Sequence, residues 1–421
     1  MAKRIAAILF IFTCTIVAWV ILGSTIFYRT HNADSALRGV VASNWGAPQT
    51  QKVPVAYYET QEEILEEIHD QGIKTIRTKQ VIRAHDLPLN SSRVDAAIHL
   101  DHRQKGLLWY STYKVSFAGA YTLENNSGQN RQVHFVLPFP ASNAVYDDLV
   151  FTIDGQPAQL TNESARARAV VSVPAGKSAV LRVGYKSQGL GRWAYNFGAE
   201  VARVRDFSLN LRTNFKAIDF PENALSPTEK RETPEGWDLA WNYRNLVTGY
   251  EIALAMPEKL QPGPLAGQIS YFAPVSLFFF FFLMWIITTL RDIELHPMNY
   301  FFLAGAFFAF HLLLAYLVDH VSIHVAFVAS SVVSVFLVVS YLRLVVGIRF
   351  AAVEAALAQT VYLVLFSYAF FFKGFTGLAV TIGSILTLFM VMQMTGRIRW
   401  SKKFAPPAMA APAGRVSAPA P

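Results

Sequence analysis

Hydrophobic positions along this chain follow two different patterns. One is continuous. Residues 5–28, IAAILFIFTCTIVAWVILGSTIFY, form an unbroken apolar run behind Lys3 and Arg4. Such runs return near residue 270 and predict helices at roughly 270–290, 299–318, 321–342, 350–372 and 376–395. About 20 residues at ~1.5 Å rise cross the hydrocarbon core of a bilayer, so each run is long enough to span one. A cleaved secretory leader would have a shorter core, ~7–15 residues, and a small-residue cleavage site. The first run therefore reads as an uncleaved anchor, and the chain as having six transmembrane helices.

Between the first and second helices the pattern differs. TQEEILEEIHDQG (60–72) predicts a short helix: Thr60 and Glu63 have capping-box spacing, Ile64, Leu65 and Ile68 share a face, and Gly72 is a natural stop. From residue 107 the period becomes two, in runs such as LLWYSTYKVSFAGAYTLEN, QVHFVLPFP, SAVLRVGYKS and FSLNLRTNF. Turn residues such as Asp154-Gly155 separate them, which predicts short antiparallel strands. HLDH (99–102) reads as a turn near those strands, and PEKLQPGPLAG (257–267) as a stiff linker into the second helix. The expected architecture is a membrane α-helical bundle plus a large mainly-β, antiparallel, sandwich-like domain inserted between helices 1 and 2. Its expected parts are an anchor (1–28), the β-rich domain (29–267), a five-helix bundle (268–397) and a disordered Pro/Ala-rich tail (398–421).

Charge sharpens this picture. The net charge of +8 suggests nucleic acid until it is located. Residues 29–267 hold 26 of the 37 Lys and Arg and 25 of the 29 Asp and Glu, leaving 11 and 4 for the membrane segments and their flanks. A nucleic-acid role needs a basic face on a folded domain, and this balance gives no reason to expect one. Cytoplasmic loops collect Lys and Arg. With the N-terminus inside, the inner segments carry Arg291, Arg343, Arg349 and the basic residues of both termini, whereas the short outer loops carry only Lys373. Both termini are thus expected in the cytoplasm and residues 29–267 on the opposite side. The single cysteine, Cys14, lies in the first apolar run, so no intrachain disulfide can form.

The candidate chemistry clusters at helix ends. His296 precedes the third helix; Asp319, His320 and His324 follow it. A helix of about 20 residues separates the two groups by ~30 Å, so they cannot share a metal. His320 and His324 have i,i+4 spacing that could offer two imidazoles to a Zn²⁺ or Cu²⁺ beside Asp319; the plainer reading makes Asp319 a cap of the fourth helix. His311 lies within the third helix and reads as a neutral imidazole bonded across helices, or as a functional intramembrane group. Glu354, near Arg349, reads as a first-turn carboxylate favoured by the helix dipole, or as part of an ion relay. Gly305 and Ala309 have small-xxx-small spacing. No Gly-rich phosphate loop, HExxH or G-x-S-x-G occurs, so the sequence assigns no catalytic, cofactor or metal residue and gives no sign of an enzyme.

Four segments carry a resemblance to a known family: SNWGAPQTQKVPVAYYE (43–59), GLLWYSTYKVSFAGAY (106–121), LSPTEKRETPEGWDLAWNY (225–243) and LHPMNYFFLAGAFFAFHLLLAYLVDH (295–320). They resemble, in order, segments of the CreD family of bacterial inner-membrane proteins, with Asn299 where that family's Leu-His-Pro motif has Gln. The resemblance implies a multi-pass inner-membrane protein with a periplasmic domain, acting in cell-envelope integrity or envelope-stress response. It transfers no catalytic or ligand residue. The expected partners are the lipid bilayer and an envelope protein or polymer met by the periplasmic domain. The alternative is a transporter or flippase-like carrier using helices 2–6.

Overall fold

The computed structural model describes residues 2–396 apart from 71–72, 107, 143, 164, 199–201 and 373. The expected tail (398–421) and the expected stop at Gly72 lie outside them. The chain divides into two compact units, Met1–Tyr28 with Pro262–Pro421, and Arg29–Gln261.

In the membrane unit six helices are long and apolar enough to cross a bilayer. They are α1 (Ala2–Trp45), α2 (Pro262–Leu290), α3 (Pro297–Leu317), α4 (Ile323–Val345), α5 (Phe350–Phe371) and α6 (Thr376–Thr395). Two boundaries differ from expectation. The segment read as a stiff linker is already helical from Pro262, because proline lacks only an N–H that the first turn leaves unbonded anyway. The first helix does not stop at residue 28 but continues to Trp45. Residues 29–45 are polar but contain no proline, and Leu37, Val41 and Trp45 bury one face against Leu108, Tyr110 and Leu190.

The close approaches that small residues permit are also not at Gly305, which is exposed with open space around it. They are at Gly23, where a Cβ would lie 2.7 Å from the Tyr271 ring, and at Gly267, where it would meet Phe27 at 3.0 Å. Helix spacing alone could not tell which small residue faces a neighbour.

The second unit is built from strands. In chain order they begin β1 (Gln49–Lys52), β2 (Val55–Asp70), β3 (Ile73–Asp86), β4 (Leu89–Lys105) and β5 (Leu108–Glu124). Next come β6 (Arg131–Pro138), β7 (Tyr146–Ile153), β8 (Gln156–Pro157), β9 (Thr161–Glu163), β10 (Arg166–Val173) and β11 (Ser178–Leu190). The rest are β12 (Arg192–Asn196), β13 (Ala202–Thr213), β14 (Glu229–Glu232), β15 (Trp237–Thr248) and β16 (Ile252–Ala255).

They form three sheets, ordered β1-β12-β16, β3-β2-β6-β10-β9 and β14-β15-β13-β4-β5-β11-β7-β8. Pairing is antiparallel except for β1 with β12 and β13 with β4. Along β5 the expected alternation holds: Tyr113, Val115, Phe117, Tyr121 and Leu123 are buried while Lys114, Ser116 and Ala118 face outward. One core joins the inner residues of all three sheets, including Phe135, Leu181, Trp193, Leu209 and Trp241. Asp154 and Gly155, both at positive φ (50° and 81°), make the tight turn from β7 to β8 that a primed hairpin turn requires.

Residues 60–70 are strand, not helix. They belong to β2, which pairs with β3 from Tyr57↔Asp86 to Asp70↔Ile73. Thr60 bonds the His85 ring (2.8 Å) and Glu63 stands opposite Gln80 in the ladder, so neither serves a helix cap. A local pattern of Ile64 and Leu65 fits either element; the distant partner strand decides. HLDH likewise lies inside β4, with His99 opposite Lys114 and His102 opposite Ser111.

Candidate functional site

A linked set of buried polar groups in the membrane unit lies on α4 and α5. Ser330 and Ser334 are one helical turn apart, so they share a face of α4, and both are fully buried. Ser334 Oγ donates to Ala306 O of α3 at 2.6 Å. Gln359 of α5, also fully buried, donates from Nε2 to Ser334 Oγ at 2.7 Å. Gln359 Oε1 and Ser330 Oγ have no protein partner. In hydrocarbon an unmet polar group costs several kcal/mol, so such groups are retained where they do work or hold a solvent molecule.

The backbone around Gln359 is also unusual. Helix α5 winds as π-helix over Phe350–Ala355 and again over Thr360–Leu365, on either side of it. Such turns recur at functional sites because they redirect side chains and loosen the backbone ladder. Ser276 of α2 donates to the carbonyl of Tyr362 in the second π segment, and Tyr362 donates its hydroxyl to Thr387 of α6 at 2.9 Å.

Glu354 lies in the first π segment and pairs with Arg291 at 2.6 Å. It is therefore neither a first-turn α-helical carboxylate nor a partner of Arg349. The pair joins the loop after α2 to α5. Glu354 is only 18% exposed against 53% for Arg291, and its Oε2 has no partner.

The remaining sequence candidates fall into separate places. His296 is the N-cap of α3: its Nδ1 accepts from the Met298 amide at 3.2 Å, and Pro297 follows at the first helical position. His311 turns back on its own helix, its Nδ1 bonded to Phe307 O at 2.8 Å, so the bond expected across helices is absent. Its ring meets Trp19 edge-on at 5.4 Å, and both His311 Nε2 and Trp19 Nε1 are buried without partners. His320 and His324 are not on one helix. His320 lies in the turn before α4, whereas His324 is inside it with its ring 5.3 Å from that of Phe371. Ser322, not Asp319, is the N-cap of α4. Among the described residues no group of three or more His, Cys, Asp or Glu could hold a metal ion.

Sequence reading passed over Gln359, Ser334 and the Arg291–Glu354 pair. A lone glutamine in the apolar run 350–372 was the available signal. N-cap geometry at His296 predicts that His296→Ala costs about 1 kcal/mol, the usual value of one cap, with metal content unchanged. Thermal unfolding and elemental analysis of both proteins check this; a stoichiometric metal lost with the mutation would contradict it.

In the β unit, segment 43–59 supplies two fully buried glutamines. Gln49 Nε2 donates to Ser187 Oγ (2.7 Å) and Gln188 O (2.8 Å), and Gln51 Oε1 accepts from the Tyr185 hydroxyl (2.7 Å). Burial pushes the Tyr185 hydroxyl well above the ordinary tyrosine value. Tyr113 of segment 106–121 donates to Arg192 O at 2.7 Å. Tyr110 is raised to about 12 by burial and then by Asp34. These groups brace the fold and offer no reactive pair.

Residues 266–401 match the family described as inner membrane protein CreD, and the match covers helices α2 to α6 almost from end to end. Over these residues the chain is similar to inner membrane protein CreD, and its six long apolar helices are those of a multi-pass membrane protein. No curated protein matches the chain. Among solved structures it is similar to a candidate nutrient-binding protein from Legionella pneumophila subsp. pneumophila str. Philadelphia 1. That likeness has 10% identity and a TM-score of 0.32, covering 56% of this chain and 77% of that one. It is also similar to the M1 zinc metallopeptidase from Deinococcus radiodurans, at 12% identity and a TM-score of 0.26, covering 40% of this chain and 42% of that one. Neither likeness says anything about the chemistry of this chain.

Proposed function

We propose that this CreD-type protein acts in cell-envelope integrity or envelope-stress adaptation without being an enzyme, its β unit held in the periplasm by the membrane unit to engage an envelope partner. The observation that carries the reading is the pairing of a CreD-type membrane bundle with a separate β unit whose buried Gln49, Gln51, Tyr113 and Tyr185 bond to its own strands. A catalytic centre would need a nucleophile, acid or base left free in a cleft, and Gln51, Tyr113 and Tyr185 of the β unit are engaged in bracing it.

The β2–β3 ribbon suits an engaging role. Strand β2 pairs with β6 only over Val55–Tyr58, so among the described residues the rest of the hairpin has no third strand. It shows Ile64, Leu65 and Ile82 at 46, 71 and 64% exposure. Two-stranded ribbons are marginal in water and gain most from a partner.

The carrier alternative draws on one observation, the buried Gln359–Ser334 link with unpartnered oxygens between two π segments of α5. A deletion strain separates the two. The envelope reading expects sensitivity to detergent and β-lactam stress, rescued by the full chain and not by the membrane unit alone. Full rescue by the membrane unit would overturn it in favour of the carrier.

A further inference from the structure

The outward face of the eight-stranded sheet carries a groove of about 680 Å³. Its shape follows from strand register. Residues directly opposite on neighbouring strands point to the same face. Arg212 on β13 is opposite Ala97 on β4, Ala97 is opposite Ser116 on β5, and Ser116 is opposite Lys186 on β11. One step along, His99 of β4, Lys114 of β5 and Gln188 of β11 form a second row. The centre of the first row is therefore low, Ala97 and Ser116, and long basic side chains stand at its edges. Strands lie about 4.8 Å apart, which sets the backbones of Arg212 and Lys186, three strands apart, at roughly 14 Å.

The charges are available. Lys114 and Arg212 are exposed and make no hydrogen bond or ion pair among the described residues, although Asp238 stands opposite Arg212 in register. Lys186 is partly compensated by Asp148 at 2.7 Å, and Asp147 is the one acid in the lining. The unit as a whole is nearly neutral, with 26 basic and 25 acidic residues over 29–267, so this local excess of cations is a feature of the groove.

We infer that this groove binds an acidic glycan, a chain of sugars bearing carboxylate or phosphate groups. Charge complementarity requires an anionic occupant. The width favours an extended one, because Arg212 and Lys186 stand at opposite edges of the groove and an extended chain can meet both at once.

Backbone chemistry separates a glycan from an acidic peptide. Strands β4 and β5 are paired on both sides, so their amides and carbonyls are committed to the ladders. Peptides that recognise sheets add to a free edge through main-chain bonds, and none is on offer here. What the face presents is side chains: hydroxyl, amide and imidazole from Ser116, Gln188 and His99, suited to sugar hydroxyls, with the cations for the acid groups. No Trp, Tyr or Phe lines the groove, so neutral sugars lack a broad stacking platform and charge must carry the affinity. Exposed charge pairs are screened by salt.

The inference deepens the envelope reading by naming the chemical class of the partner, and it can fail alone. Full-length protein in neutral detergent is titrated with a soluble oligogalacturonate, with vesicles containing an acidic phosphoglycolipid, with dextran and with poly-glutamate. The expected result is binding to one or both acidic glycan probes, weakened at least tenfold by Lys114→Glu with Arg212→Glu and also weakened by raising salt from 50 to 300 mM. The vesicle and oligosaccharide arms distinguish a lipid-linked from a free glycan.

Equal binding of poly-glutamate, undiminished binding by the double variant, or no binding to either glycan would overturn the inference. Because the substituted positions are exposed, unchanged thermal unfolding of the double variant is expected, and a lowered melting point would show that the loss of binding came from misfolding. Complementation of the deletion strain by the double variant reads separately. Loss of glycan binding with full rescue would leave the envelope role standing and detach the groove from it.

Discussion

Gly46→Ala is expected to destabilise the β unit by roughly 3 kcal/mol or more. Gly46 ends α1 at φ +103°, a conformation that L residues reach only with strain of ~1–3 kcal/mol. Strain is the smaller part. A Cβ there would stand 2.1 Å from the Gln188 carbonyl oxygen and 2.7 Å from its carbon, and both atoms are backbone of β11. No side-chain rotation can relieve that contact, so the chain entering β1 must move. The bonds that would shift with it are Leu190 N to Ala47 O (3.3 Å) and the two donated by buried Gln49.

A domain holds only ~5–15 kcal/mol in total, so a loss of this size should lower the melting temperature by many degrees. Thermal unfolding of the full chain in detergent, followed by tryptophan emission, checks it. Gly128→Ala is the control, because Gly128 shares the positive φ (+72°) but has open space around it. Equal melting of the two variants would mean that the approach of Gly46 to β11 is unimportant.

Trp241→Ala is expected to cost ~3–5 kcal/mol, the range for removing a buried aromatic side chain. Trp241 is fully buried on β15, opposite Leu209 of β13, within the core that joins the three sheets. Its indole also donates to Leu225 O at 2.9 Å, so truncation opens a cavity and leaves that carbonyl without its donor. Trp237, four residues earlier, provides the comparison. It is half-buried, donates to Lys216 O at 2.9 Å, and carries Lys230 over its ring at 4.1 Å. Its removal should cost about 1 kcal/mol, near the value of one hydrogen bond. Chemical denaturation of both variants decides between a core role for Trp241 and mere aromatic composition. Similar midpoints would contradict the core role.

Much of the architecture could be read from the sequence because its signals are local. Six long apolar runs need no partner to be recognised, and the alternation along β5 reports a sheet with one buried face. What escaped depended on distant neighbours. Ile64 and Leu65 fit a helical face until β3 supplies a ladder for β2. Residues 29–45 gave no stop signal and remain helical because Leu108 and Tyr110 cover one side of them.

Site reading divided in the same way. His296 sits beside Pro297, so its place at a helix start was visible. Glu354 finds Arg291 rather than the nearer Arg349, a choice made by the packing of α5 against the loop after α2. Gln359 was inconspicuous as a single letter. Its weight comes from Ser334, Ala306 O and the two π segments around it, none adjacent in sequence except those segments.

The envelope role of the β unit depends on which side of the membrane it occupies, and a dual reporter fusion measures that directly. A reporter active only in the periplasm is placed within the β unit at residue 150, and separately after residue 396, each paired with a reporter active only in the cytoplasm. The distribution of Arg291, Arg343 and Arg349 between helices predicts periplasmic activity at 150 and cytoplasmic activity after 396. Cytoplasmic activity at residue 150, or periplasmic activity after 396, would contradict the six-span arrangement and remove the envelope-facing role of the β unit.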